Sequence, residues 1–110
     1  MNSLMHTLVM KRVVIIGDCD LEQKMLKEIL DLGATGYTIF HGVQGQGERG
    51  IRPRHAVSGN VKIEVIATDE VAQRILEHVA RNYFDNYAMI GFLDDVEVLY
   101  GEKFGATLKK

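Results

Sequence analysis

The sequence predicts an α+β domain of the ferredoxin-like, split βαβ kind, with its elements in the order β-α-β-β-α-β. Three observations carry that expectation. Four segments have β-rich composition with alternating or continuous apolar residues, two others repeat apolar residues at helical spacing, and 110 residues suit a single domain, 1–110.

The first segment, "TLVMKRVVIIG", is rich in β-branched residues, and Val13 to Ile16 form a continuous apolar run. That pattern fits a central strand covered on at least one face, ending at Gly17. "DLEQKMLKEILDLG" follows as an amphipathic helix, with Leu21, Met25, Ile29 and Leu32 on its stripe and Leu26 and Leu30 widening it. Asp20 is its expected cap, with Gln23 three residues on, and Gly33 supplies the left-handed stop. "GYTIF" resumes strand composition. "NVKIEVIAT" alternates, placing Val61, Ile63 and Val65 on one face and Lys62 and Glu64 on the other.

The second helix is "TDEVAQRILEHVARNYF", capped by Thr68 or Asp69. Its stripe is Val71 or Ala72, Ile75, Leu76, Val79 and Tyr83, and Gln73, Arg74, Glu77, His78 and Arg81 are expected to face water. "AMIGFLDDVEVLYG" reads as a last strand interrupted at Asp94 and Asp95, and a mobile tail is expected over about 105–110. With both helices on one face of the sheet, Ile39, Val65 or Ile66, Phe92 and Val98 leave the other face too apolar to stay wet, which implies oligomerisation through the sheet.

Composition excludes several classes. A net charge of −2 gives no global field for nucleic acid or anionic membrane. One cysteine, Cys19, excludes an internal disulfide and a multi-cysteine zinc site, and a cytoplasmic setting is the default. The start, "MNSLMHTLVMKR", does not read as a signal peptide, and no apolar run is long enough to span a bilayer.

The connection "HGVQGQGERGIRPRHAVSG" is far longer than the two to five or so residues that a hairpin needs. Its glycines let backbone N–H groups approach an anion, and Arg49, Arg52 and Arg54 offer forked donors for phosphate or carboxylate. A solvated, polar surface loop is the commoner explanation of such composition. Thr38, at the start of a strand, has a hydroxyl that could meet a ligand at a subunit seam, or serve as an ordinary strand threonine. "YFDNYA" reads either as a turn at a ligand's edge or as a turn with aromatic anchors Tyr83, Phe84 and Tyr87. His41 and His55 flank the long loop and make a weak metal pair, so no metal site is expected. Cys19 sits at a helix start, where a thiol pKa can fall, though a small semi-buried residue is the stronger reading. No placed nucleophile, base or spaced carboxylate pair stands out, so no catalytic residue is assigned and the residues favour binding over turnover.

Taken in order, "GATGYTIF", "GQGERGIR", "NVKIEVIAT", "RNYFDNYA" and "VEVLYGEKF" resemble the PII-like signalling proteins, in their carboxysome-associated (CPII) and SbtB-like branch. The resemblance implies a homotrimer with adenine nucleotides in three intersubunit clefts. It makes the connection over about 42–59 a ligand-responsive, partner-docking T-loop, "YFDNYA" a B-loop and the segment after Tyr100 a C-loop. It implies Thr38, Gly45, Gly47, Arg49 and Arg52 as nucleotide ligands, with Tyr87, Ala88, Met89 and Ile90 lining the cleft. The nitrogen-regulatory members carry a Gly-Asp-Gly-Lys type B-loop and arginines in the last strand. "FDNYAMI", Glu97 and Leu99 lack that positive charge, which favours ADP, AMP or cyclic AMP over ATP. No tyrosine lies between Phe40 and Gly59, so the family's uridylylation site is missing. The same branch implies bicarbonate held by backbone amides of Gln44, Gly45, Gln46 and Gly47. It also implies no obligatory cofactor, and a protein target such as a bicarbonate transporter or a carboxysome-linked protein. Alternative readings are a CutA-like metal-binding trimer and a slow nucleotide hydrolase.

Overall fold

The computed structural model describes residues 6–47, 50–51 and 59–105. The chain forms β1 (Thr7–Asp18), a 3₁₀ turn (Cys19–Leu21), α1 (Glu22–Asp31), β2 (Thr38–Val43), two short strands β3 (Gln46–Gly47) and β4 (Gly50–Ile51), β5 (Asn60–Ala67), α2 (Asp69–Asn82), β6 (Ile90–Leu99) and a final 3₁₀ turn (Gly101–Phe104). The main sheet runs β2-β5-β1-β6, antiparallel throughout, which is the ferredoxin-like order. β3 and β4 pair with each other inside the long connection, a feature that the sequence reading does not anticipate. The expected loop boundary moves slightly: β2 continues to Val43 through an irregularity at Gly42, whose φ of 73° is the left-handed region that favours glycine.

Strand alternation sorts the sheet into two faces. Val13 stands beside Val65 and Leu93, and Ile15 beside Ile63 and Gly91, all on the helix-covered face. Met25, Leu26 and Ile29 of α1 and Ala72, Ile75 and Val79 of α2 close over them. Burying each such aliphatic side chain contributes about 1.5–3 kcal/mol. Leu30, expected on the stripe of α1, is instead exposed.

Ile39 lies opposite Ile63 and packs against this core, and Val65 is fully buried in it. Both therefore leave the set expected on the outer face, where Ile66, Phe92 and Val98 remain. There they sit with Leu8, Ile16, Phe40 and Ile90 around the buried Val14, and Phe92 keeps 44% of its surface exposed.

The caps are partly as expected. Thr68 Oγ1 accepts from the Val71 amide at 3.4 Å and starts α2. Asp20 does not cap α1: the Asp18 carboxylate accepts from the Asp20 amide at 2.8 Å and opens the 3₁₀ turn that feeds α1, and α1 itself begins after Leu21 without a side-chain cap. β1 also runs one residue past Gly17 to reach it. Gly33 ends α1 with a φ of 116°, as the sequence implied.

β6 is continuous where an interruption was expected. Asp94 and Asp95 stand directly opposite Arg12 and Lys11 on β1. Arg12 grips Asp94 through two hydrogen bonds of 3.0 and 3.1 Å, and Lys11 pairs with Asp95. Cross-strand partners of opposite charge turn two acids that would break a strand into residues that hold it.

Candidate functional site

The long connection leaves the sheet between two tethered roots. On the outgoing side, His41 Nε2 lies 2.7 Å from Glu22 Oε1, joining β2 to the first turn of α1. On the returning side, the Cys19 amide donates to the Gly59 carbonyl at 2.8 Å, and Gly59 has a φ of 129° that suits glycine. The corner between β1 and α1 thus holds both ends of the loop. Gln44 and Gly45 emerge exposed just beyond it, and Gln46 and Gly47 form β3. Arg49, Arg52, Arg54 and His55 lie outside the described residues, as does the tail over 106–110.

Cys19 does not have the activated character that its helix-start position suggested. Burial first, then the negative charges of Glu22, Asp18 and Asp20, push its thiol up from the ordinary range. A neutral, half-buried thiol follows, in line with the stronger of the two readings.

The second segment is the turn after α2. Amides of Asn86 and Tyr87 both donate to the Tyr83 carbonyl, at 3.1 and 3.0 Å. Of the three expected aromatic anchors only Tyr83 is buried; Phe84 and Tyr87 are exposed. Tyr87 keeps its ring 6.0 Å from that of Tyr83. Ala88 is half-buried. Met89 turns inward against the core, so close to Gly17 that a Cβ there would sit 2.9 Å from its methyl carbon. It lines a recess with Ile15, Gly17, Leu21, Met25, Val61 and Ile63 that is too narrow to hold a water molecule. Ile90 opens β6 on the outer face, exposed.

Register places these residues relative to one another. Ile90, opposite Ile16, and Val43, opposite Asn60, mark the same end of the sheet. They stand on opposite edges of it, because β2 and β6 are the two outer strands. Three strand spacings separate those edges, about 14 Å. Thr38 is exposed on the β2 edge, opposite Glu64, at mid-height on the outer face. Within one chain, then, Thr38 and Val43, from which the long connection leaves, lie on one edge, while Ile90 and the turn that leads into it lie at the other.

A third cluster joins the helices. Glu28 Oε1 accepts from the Tyr83 hydroxyl at 2.5 Å and lies 2.9 Å from His78 Nε2, while Lys24 Nζ is 3.2 Å from the Glu28 carboxylate. His78, expected to face water, is half-buried in this contact. Burial by itself would raise the Glu28 carboxyl, but hydrogen bonds from Tyr83, His78 and Lys24 outweigh it and hold the group below its usual range.

One grouping escaped sequence reasoning. Cys19, Glu22 and His41 bring a sulfur, a carboxylate oxygen and an imidazole nitrogen within 4.8 Å of one another. Cys19 and Glu22 are three apart, but His41 arrives from β2, and no spacing rule signals a ligand contributed from a separate strand.

Residues 10–103 match the family model described as nitrogen regulatory protein P-II. A PII-like signaling protein from Thermus thermophilus is 35% identical, with a TM-score of 0.78 over 91% of this chain and 99% of that one. CPII from Thiomonas intermedia, solved bound to ADP, AMP and bicarbonate, is 23% identical, with a TM-score of 0.79 over 91% and 97% of the two chains. CutA1 from Oryza sativa shares the fold at 13% identity and a lower TM-score of 0.53, over 84% of each chain. A family match that begins inside β1 and ends in the final 3₁₀ turn takes in the sheet, both helices and the long connection, and the chain belongs to the nitrogen regulatory protein P-II family.

Proposed function

We propose that this chain is a PII-like signal-transduction regulator, acting as a homotrimer that binds adenine nucleotides in the clefts between subunits. The observation that carries the reading is the separation of the two segments that would form the site. Thr38 and the root from which Gln44 to Gly47 leave lie on the β2 edge, and the turn from Tyr87 leads into Ile90 on the β6 edge, the two strands being about 14 Å apart across three strand spacings. A single small ligand reaches both kinds of residue only where the β2 edge of one copy meets the β6 edge of another. Phe40, Ile90 and Phe92, exposed on the outer face, support such an assembly.

In this reading Thr38, Gly45, Gly47, Arg49 and Arg52 contact the nucleotide from one subunit. Tyr87, Ala88, Met89 and Ile90 line the cleft from its neighbour, with Met89 contributing backbone, since its side chain is turned into the core. The ligand is ADP or AMP, with cyclic AMP and ATP as further adenine nucleotides. The presence of ADP and AMP on the similarly folded CPII supports that class. Bicarbonate, also on CPII, is assigned to the backbone of Gln44, Gly45, Gln46 and Gly47.

Ordering the connection over 42–59 around the anion would present a different surface to a protein target, and the same carbon-linked reading makes that target a bicarbonate transporter or carboxysome-linked protein. The role is regulatory rather than catalytic, and the setting is the cytoplasm; no helix among the described residues is long and apolar enough to cross a membrane.

Analytical ultracentrifugation and calorimetry test the reading together. A mass of three chains and heat on titrating ADP or AMP are the expected results. A monomer indifferent to every adenylate removes the proposal. Bicarbonate titrated with and without nucleotide tests the second ligand, and no heat in either case removes that part alone.

A further inference from the structure

The Cys19, Glu22 and His41 side chains converge from the 3₁₀ turn, the first turn of α1 and the end of β2. Each offers one donor atom, and the three lie within 4.8 Å of one another. His41 Nε2 is 2.7 Å from Glu22 Oε1, and Cys19 Sγ is 4.0 Å from the same oxygen. Zinc bonds of about 2.3 Å to sulfur and about 2.0–2.1 Å to nitrogen or oxygen set tetrahedral ligand atoms about 3.3–3.6 Å apart. The two spacings to Glu22 Oε1, 2.7 and 4.0 Å, bracket that range, and the Cys19 and His41 donors lie within 4.8 Å, so side-chain rotation would bring the three around one ion.

The donor set also discriminates. The Cys19 thiol would release its proton to solvent on binding a metal, and a sulfur and an imidazole donor disfavour magnesium and calcium and suit zinc or a comparable divalent transition ion. Cys19 and Glu22 are half-buried, which limits their freedom, while the His41 side chain is 61% exposed and leaves an approach from solvent. Asp18 and Asp20 lie near enough to act electrostatically on the Cys19 sulfur, and they add negative charge around the cluster.

We propose that Cys19, Glu22 and His41 form a binding site for one divalent transition-metal ion per chain, zinc being the best match. The three protein donors leave a fourth coordination position open to water or another ligand. Because His41 immediately precedes the Gly42 irregularity, the ion ties the outgoing root of the long connection to the start of α1. The site lies within one chain and does not depend on the nucleotide reading.

The test uses the full-length protein, stripped with a chelator and kept reduced by a phosphine. Calorimetry with zinc chloride is expected to show one ion per chain, with affinity at least tenfold weaker in Cys19→Ser and in His41→Ala. His78→Ala, a histidine in a different contact, serves as the control and keeps the wild-type affinity. Cobalt(II) added to the wild-type protein gives a thiolate-to-metal charge-transfer band, a readout that stands even if a variant misfolds. No zinc binding, a cobalt adduct without that band, or both variants binding like wild type overturns the site.

Discussion

The Tyr83 hydroxyl donates a 2.5 Å hydrogen bond to Glu28, fastening the end of α2 to the middle of α1. His78 and Lys24 converge on the same carboxylate, which is mostly buried. A second polar link runs from Arg74 of α2, which donates to the Leu32 carbonyl at the end of α1 at 3.0 Å.

Glu28→Gln is expected to cost about 1–2 kcal/mol at neutral pH, the loss of charge-assisted hydrogen bonds. The folded carboxyl titrates below its unfolded value, so the unfolded chain binds the extra proton. Its contribution is complete above the unfolded pKa, about 4.3, and disappears as the pH falls through the folded value. Urea unfolding of both proteins at pH 7 and in the acid range checks this. A gap between wild type and variant that does not shrink in acid contradicts it.

Gly33 has a φ of 116°, and a Cβ there would meet Val71 Cγ2 at 3.2 Å. Gly33→Ala should destabilise the chain by at least about 1 kcal/mol through backbone strain. Thermal melts measure it, and an unchanged midpoint would show that the turn relaxes freely.

Phe92 projects from the outer face of the edge strand β6, opposite Val14 of β1. If that face packs against further copies, Phe92→Asp places a charge in the contact and splits the assembly, while leaving the helix-covered core untouched. Sedimentation should show a folded monomer with weakened ADP binding. A variant that still sediments as three chains places the subunit contact elsewhere.

Arg49→Ala and Arg52→Ala each remove a forked, charge-assisted contact to phosphate. Nucleotide affinity is expected to fall about tenfold or more per substitution, from the 1.5–3 kcal/mol or so of such bonds, with the assembly intact. Equal affinity in both single variants and in the double variant would exclude the arginine clamp. The connection would then be read as the solvated loop that composition also allowed.

Periodicity exposes the framework because each element solves its own burial problem locally. The alternation of Val61, Ile63 and Val65 and the stripe of Ala72, Ile75 and Val79 need no knowledge of the partner strand or helix. The Thr68 cap and the Gly33 stop are legible for the same reason, since both act within one turn. Asp20 looks like a cap in the sequence, but an intervening 3₁₀ turn moves the helix start, so that Asp18 caps that turn and α1 has no side-chain cap. The candidate nucleotide ligands come from resemblance rather than spacing, and Arg49 and Arg52 lie outside the described residues.

The order of elements, the helix-covered core and the long glycine- and arginine-rich connection are thus legible in the chain. Which residues from different elements meet is settled only in three dimensions. Folding sets Arg12 and Lys11 opposite Asp94 and Asp95, turns Ile39 to the inner face, and draws His41 to Glu22 and Cys19. The physical reason is range. Backbone periodicity and capping act over a few residues and leave a mark in the chain, whereas strand register couples residues some eighty positions apart and leaves none in either strand alone.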